Sequence, residues 1–208
     1  MKNIYLDYNA STPVDERVVD AVLPFFVEKY GNPSSTNNHY GREANRAVNQ
    51  SLRIIADYFS VESLDDIIVT SGATEANNLV LSSFFKSNKK NCRIITSRIE
   101  HDSVLKTAES LSDEAEIVYV KNDSNGMIDL NDLEDKLKKP TSLLSIMGAN
   151  NEIGTIQPIE AIADLAKKYS VPFHCDATQL IPYKRIDLSK LDIDYISMSG
   201  HKIYAPKG

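Results

Sequence analysis

Only two cysteines, Cys92 and Cys175, occur in the 208 residues, 83 positions apart, with no CxxC pair and no Cys/His zinc spacing around them. A disulfide framework and a structural zinc site are therefore not expected, and both side chains should be reduced thiols. No apolar run approaches the ~20 residues that span a bilayer. The start of the chain meets Asp7 too soon to form the core of a secretory signal. No membrane partner is expected, and the protein reads as cytoplasmic. A basic pole is also missing. The 23 Lys and Arg stand against 29 Asp and Glu, for a net charge of −6. Residues 1–100 carry 11 basic and 12 acidic groups, and residues 101–208 carry 12 and 17. Direct nucleic-acid binding needs a concentrated positive face and is not expected. There is no internal repeat and no low-complexity tract.

What is present is an ordinary globular composition, 42% hydrophobic and 25% charged, in a length that suits one large domain with a substantial core. From about residue 40 onward, amphipathic helical stretches alternate with short strand-like runs, the signature of parallel βαβ units and so of an α/β class. The strand candidates are Asp66–Thr70, Cys92–Ser97, Glu116–Val120, Ser142–Gly148, Pro172–Asp176 and Asp194–Ser199, with helices expected to fill the gaps between them. Residues 42–59 place Ala44, Ala47, Val48, Leu52, Ile55, Ala56 and Phe59 on one helical face, and residues 158–169 do the same with Ile159, Ile162, Ala163 and Ala166 behind Pro158. The turn-rich segment from Gly31 to Asn38 is the one long loop expected.

Ligands of open parallel sheets collect at the carboxyl ends of the strands. Ser71-Gly72-Ala73-Thr74 stands between a strand candidate and an apolar helix, where free backbone N–H groups and the Thr74 hydroxyl suit a phosphate. The plain alternative is helix capping by Ser71 or Thr74, a contribution of ~1 kcal/mol. The loop is neither GxGxxG nor GxxxxGK[ST], so it lacks the glycines and lysine of a dinucleotide or P-loop site. Asp176 ends an apolar strand, where a carboxylate needs a cation or several donors unless it merely caps the next segment. Lys202 follows another strand end, where a partly desolvated amine can form a Schiff base, although a lone lysine is usually a solvated surface charge. His101 follows a third strand and would otherwise be an ordinary loop histidine. Phosphate cradle, carboxylate, flat imidazole and amine together match the phosphate, ring nitrogen, ring face and aldehyde of one ligand, pyridoxal phosphate. A metal-hydrolase site built from His101, His174 and His201 fits no common zinc spacing.

The same residues resemble the pyridoxal-phosphate-dependent cysteine desulfurases of the class V aminotransferase group. The matching stretches are Tyr5–Asp7 through Ala10–Pro13, Gly31–Ser35, Thr70–Asn78, Glu100-His101, Asn150–Gly154, His174–Gln179 and Ser199–Lys202, in family order along the whole chain. The resemblance implies a predominantly parallel-sheet, three-layer large domain of fold-type I pyridoxal-phosphate-dependent transferases. Residues 1–14 would be an N-terminal arm and residues 15–208 the cofactor-binding domain, incomplete at its C-terminal end and without the small domain. Lys202 matches the Schiff-base lysine and proton shuttle, Asp176 the partner of the ring nitrogen, and His101 the imidazole stacked on the ring as a candidate acid or base. Asn151 and Gln179 match groups bonding the ring hydroxyl, and Ala73, Thr74, Ser199 and His201 the phosphate set. No metal is implied.

The implied reaction converts L-cysteine to L-alanine while sulfur passes to an enzyme cysteine as a persulfide. In the family that cysteine and the carboxylate-binding arginine lie far beyond the Schiff-base lysine. Cys92 and Cys175 fall in expected buried strands and read as core thiols. The resemblance further implies a homodimer and a sulfur-acceptor protein, an iron–sulfur scaffold or a tRNA-thiolation carrier. In the Asn38-His39-Tyr40-Gly41 segment the family's histidine is displaced by one position, so no role carries over to His39. Two alternatives stand beside this reading: a non-catalytic cofactor-binding or interaction module, and another class V enzyme such as a selenocysteine lyase.

Overall fold

Strands whose side chains are apolar on both faces need a helical layer on each side. The computed structural model, which describes residues 3–88 and 91–207, has that arrangement. Strands β1 (Arg93–Ser97), β2 (Glu116–Val120), β3 (Leu143–Met147), β4 (Phe173–Asp176) and β5 (Tyr195–Ser197) pair in parallel throughout, in the order β2-β1-β3-β4-β5. The helices are α1 (Glu16–Val22), α2 (Pro24–Val27), α3 (His39–Phe59), α4 (Ala73–Ser87), α5 (Asp102–Leu111), α6 (Leu130–Leu137) and α7 (Ile159–Lys168). Side chains alternate between the sheet faces with period two. Ile94 and Leu143 pack with Leu81 of α4 and with Val104 and Ala108 of α5. Their chain neighbours Ile95 and Leu144 pack instead with Leu133 of α6, Ile162 of α7 and Phe59 at the end of α3. Each fully buried Leu or Ile stabilises this sandwich by about 1.5–3 kcal/mol relative to exposure. The three-layer α/β sandwich expected from the sequence is the fold observed. Among the described residues, no helix is long and apolar enough to cross a membrane.

Five of the six expected strands form. The sixth, Asp66–Thr70, does not: Leu64–Asp66 closes a 3-10 turn, and residues 67–70 pair with no strand. Ile68 and Val69 are 71% and 77% exposed. Their β-branched side chains favour an extended backbone, but a strand also needs a neighbour for its N–H and C=O groups, and none runs alongside among the described residues. The gap between β4 and β5 likewise holds turns in place of the expected helix. A first turn does begin, with the N–H of Ile181 bonded to the carbonyl of Ala177 at 3.0 Å, but Pro182 brings no donor to continue it.

α3 starts at His39, three residues before the expected 42, because the Asn38 side chain accepts the Gly41 N–H at 2.9 Å and caps the helix there. Of its expected apolar face, Ala44, Ala56 and Phe59 are buried, while Val48 is 44% exposed. α7 forms as expected, with Pro158 as its cap residue.

On β4 the even positions turn away from the Phe173 and Cys175 face. His174 is fully buried there, its Nδ1 2.9 Å from Ser145 Oγ and its Nε2 2.9 Å from Ser197 Oγ, so one imidazole ties β3, β4 and β5 together. Burial pushes its pKa down to about 4 from 6.5, against the pull of the nearby Asp176 charge. The unfolded chain takes up this proton below pH 6.5 and the folded chain only near pH 4, so the stability at issue is complete above pH 6.5 and lost as pH falls to 4. Urea unfolding of the wild type should show a loss of roughly 3 kcal/mol from this group across that window. His174→Gln, which keeps hydrogen-bonding capacity without the titration, should flatten the slope.

Candidate active site

The parallel register sets Met147 opposite Asp176 and Asp176 opposite Ser197 at the carboxyl ends of three adjacent strands. The segments beyond these ends, together with the start of α4, enclose a cavity of about 690 Å³. Ala73, Thr74, His101, Asn151, Asp176, Gln179, Ser199, His201 and Lys202 all line it. Every site residue expected from the sequence is thus brought to one place. His39 is not among them; it lies exposed at the start of α3, edge-on to Tyr40.

The start of α4 carries the site's clearest anion chemistry. Gly72 is the residue before the helix, at φ +149 and ψ −178, and no side chain caps the helix. A Cβ at Gly72 would meet only Ser199 Oγ, at 3.7 Å, so glycine is required by backbone conformation and not by space. Capping by Ser71 or Thr74, the plain alternative, is therefore not what forms. The Glu75 carboxylate is turned back to the Ser71 N–H at 2.7 Å, a bond that lowers its pKa. The uncapped first turn faces the cavity through Ala73 and Thr74, as an anion-binding helix end should.

Across the cavity, Asp176 is only 5% exposed. Its carboxylate accepts the Asn77 side-chain amide at 2.7 Å and the Thr178 N–H at 3.1 Å. Two neutral donors leave carboxylate lone pairs free, and the buried charge still calls for a cation. Lys202 lies in a 3-10 turn, Gly200–Lys202. Burial lowers the pKa of its amine, while the charges of Asp7 and Asp176 oppose that shift. The Lys202 Nζ donates to the carbonyls of Asn9 and Ala10, the latter at 3.0 Å. Gln179 Nε2 donates to the same Asn9 carbonyl at 2.9 Å. The arm is stitched down further by Thr12, whose N–H and hydroxyl both donate to the His201 carbonyl, at 3.0 and 2.9 Å. The pKa of His201 is lowered by burial and by the neighbouring Lys202 and Lys207 charges.

The Aminotransferase class-V family matches residues 4–208. The chain belongs to this family. Among its relatives are the mitosomal cysteine desulfurase of Trachipleistophora hominis, 45% identical over 99% of this chain and 47% of the relative, and the cysteine desulfurase IscS of Dictyoglomus turgidum, 43% identical over 100% of this chain and 52% of the relative. A solved NifS-like protein superposes with a TM-score of 0.94 at 40% identity, covering 100% of this chain and 57% of that one. A second, SspA in complex with cysteine, gives 0.90 at 37% identity over 99% and 59%. The chain spans about half the length of the curated relatives it matches.

Class V aminotransferases are pyridoxal-phosphate enzymes, and the residues of this class V chain fit that group. An uncapped helix end suits the phosphate, a buried carboxylate short of a cation suits a protonated ring nitrogen, and a desolvated amine suits the aldehyde. Both cysteines are buried, with thiol pKa values raised by burial, so neither is an exposed nucleophile.

Sequence reasoning missed the shell behind the site. Asn77 stood in a matched stretch without a role, and Ser103 carried no signal. Asp7, Asn9 and Ala10 line the cavity although only their motif had been noticed. Glu100 stood beside His101 in a matched stretch, also without a role. It is 5% exposed, its Oε1 accepts from the Ser97 hydroxyl at 2.6 Å and from the Met147 N–H at 3.1 Å, and its Oε2 has no partner among the described residues. Burial pushes its pKa up to about 8, with the Asp176 charge adding to the effect, so it holds a proton at neutral pH. The stability linked to this group is complete below pH 4.5 and lost as pH rises to 8. Glu100→Gln should therefore stabilise the fold above pH 8 by on the order of 2–4 kcal/mol, with the difference from wild type closing towards pH 4.5, as read by denaturant midpoints across that range.

Proposed function

We propose that this chain is the cofactor-holding portion of a pyridoxal-phosphate-dependent cysteine desulfurase, acting on L-cysteine to give L-alanine and persulfide sulfur. The observation that carries the reading is the convergence of nine motif residues on one cavity at the carboxyl edge of the sheet. Ala73 and Thr74 at the start of α4, with Ser199 and His201, would hold the phosphate. Asp176 would keep the ring nitrogen protonated, Asn151 and Gln179 would bond the ring hydroxyl, and His101 would lie on the ring face. Lys202 would hold the aldehyde carbon and, once released by substrate, move the proton at the substrate Cα. Pyridoxal phosphate bound there supplies an electron sink for bond breaking next to the substrate amine.

The low exposure of Asp176 would strengthen a bond from it to a protonated ring nitrogen. The burial that depresses the Lys202 pKa raises the fraction of free amine, the form that can attack an aldehyde or accept a proton. Sulfur transfer balances when an acceptor thiolate forms an S–S bond to the cysteine sulfur as the substrate C–S bond breaks, the electron pair of that bond staying with the carbon, which takes up a proton to become the methyl group of alanine. Cys92 and Cys175 are buried, so the acceptor thiol of this reading is neither of them. Relatives named cysteine desulfurase at 42–45% identity support the substrate assignment. A homodimer, an acceptor protein of the iron–sulfur scaffold or tRNA-thiolation type and a cytoplasmic setting belong to the same proposal. Three of those relatives are named mitosomal or mitochondrial.

The full-length protein supplied with pyridoxal phosphate should gain a visible absorbance band and form alanine from cysteine. Lys202→Ala should remove the band and reduce alanine formation to background. A variant that keeps both would overturn the assignment of Lys202, and a wild type that binds the cofactor but turns over selenocysteine alone would overturn the substrate.

A further inference from the structure

A continuous line of hydrogen bonds runs from the buried Asp176 to the His101 ring. Asn77, fully buried, donates from Nδ2 to Asp176 Oδ2 at 2.7 Å and to Ser103 Oγ at 2.8 Å. Ser103, 7% exposed, places its Oγ 2.9 Å from His101 Nδ1, and its backbone N–H donates to the same nitrogen at 3.1 Å.

The direction of every proton along this line follows from its ends. An ionised Asp176 only accepts, so the Asn77 atom facing it must be the NH2 group. Among the described residues the Asn77 Oδ1 is left buried without a partner, so the amide is oriented by its donors and not by its acceptor. Both Nδ2 protons are then committed, one to Asp176 and one to Ser103 Oγ. Because Ser103 Oγ accepts from Asn77, its own proton is free to point at His101 Nδ1. That nitrogen receives two donors, one of them a backbone N–H fixed by the first turn of α5, and an N–H of its own would collide with both.

We propose that Asn77 and Ser103 are positioning residues that hold neutral His101 in the tautomer with its proton on Nε2, so that the imidazole offers the cavity a hydrogen-bond donor and not a base. The ring-face role given to His101 rests on the proposed function; its tautomer does not. If both hold, proton abstraction falls to Lys202, and His101 contributes its flat face and one directed N–H. The chain also makes the two sides of the cavity interdependent, because the amide that steadies the Asp176 charge is the one that orients the Ser103 hydroxyl.

The test is long-range proton–nitrogen correlation NMR on full-length protein labelled with 15N-histidine, without cofactor, at about pH 8.5, two units above the ordinary imidazole value. Comparison with His101→Gln identifies the His101 resonances. The expected result is a pyrrole-type Nε2 and a pyridine-type, hydrogen-bonded Nδ1. Ser103→Ala should move Nδ1 downfield towards the unbonded position, Asn77→Ala should move it in the same direction by less, and Ser103→Thr should restore it. A structural role alone would change stability without moving this nitrogen. A protonated Nδ1 in the wild type would overturn the proposal, whether or not the variants fold. So would an Nδ1 unmoved in a folded Ser103→Ala protein. Neither result bears on whether the cofactor binds, which the absorbance measurement decides separately.

Discussion

Asp176 sits at the inner end of β4 with 5% of its surface exposed, and a carboxylate in that position keeps its charge only where donors or a cation surround it. Much of the site's arrangement answers that requirement. The Thr178 N–H comes from the turn that follows the strand, and the Asn77 amide comes from the second turn of α4, so satisfying one carboxylate ties the helix to the sheet. The same carboxylate raises the pKa of buried Glu100 and pulls up that of His174 against burial. Glu100 remains neutral beside it chiefly because burial disfavours its charged form, and the like charge of Asp176 adds to that.

The N-terminal arm answers a different need. A lysine amine drawn partly out of bulk water still needs acceptors. Residues 9 and 10 provide two carbonyls, and Thr12 binds the carbonyl of His201, 189 positions away in sequence. Contact between such distant segments stabilises a local geometry that a 3-10 turn of three residues could not hold alone. The arm thus closes one side of the cavity and desolvates the lysine at once.

Legibility in the sequence tracked the range of the physics involved. Five strands and the main helices were readable because apolar periodicity is local and the sheet buries both faces. Asp66–Thr70 had the same local signal and failed, since pairing is decided by what lies alongside and not by the segment itself. The helix expected between β4 and β5 is instead a series of turns, in which Pro182 has no N–H to give to the carbonyl four residues back. Site residues at strand ends were readable because the position of a motif after a strand already implies the edge it faces. Asn77 and Ser103 were not, because their part depends on which atoms they meet across 99 and 26 positions of sequence.

The amino-acid sequence by itself determined the α/β class, the parallel strands and the residue types gathered at their carboxyl ends, because side-chain periodicity and strand-end position are properties of short segments. Tertiary structure alone decided that α4 begins without a side-chain cap and that Glu100 is buried beside Asp176. It also decided that the arm lies over Lys202 and that an amide and a hydroxyl join Asp176 to His101. Each of these depends on desolvation and on hydrogen bonds between segments far apart in the chain, and neither is encoded in any single stretch of residues.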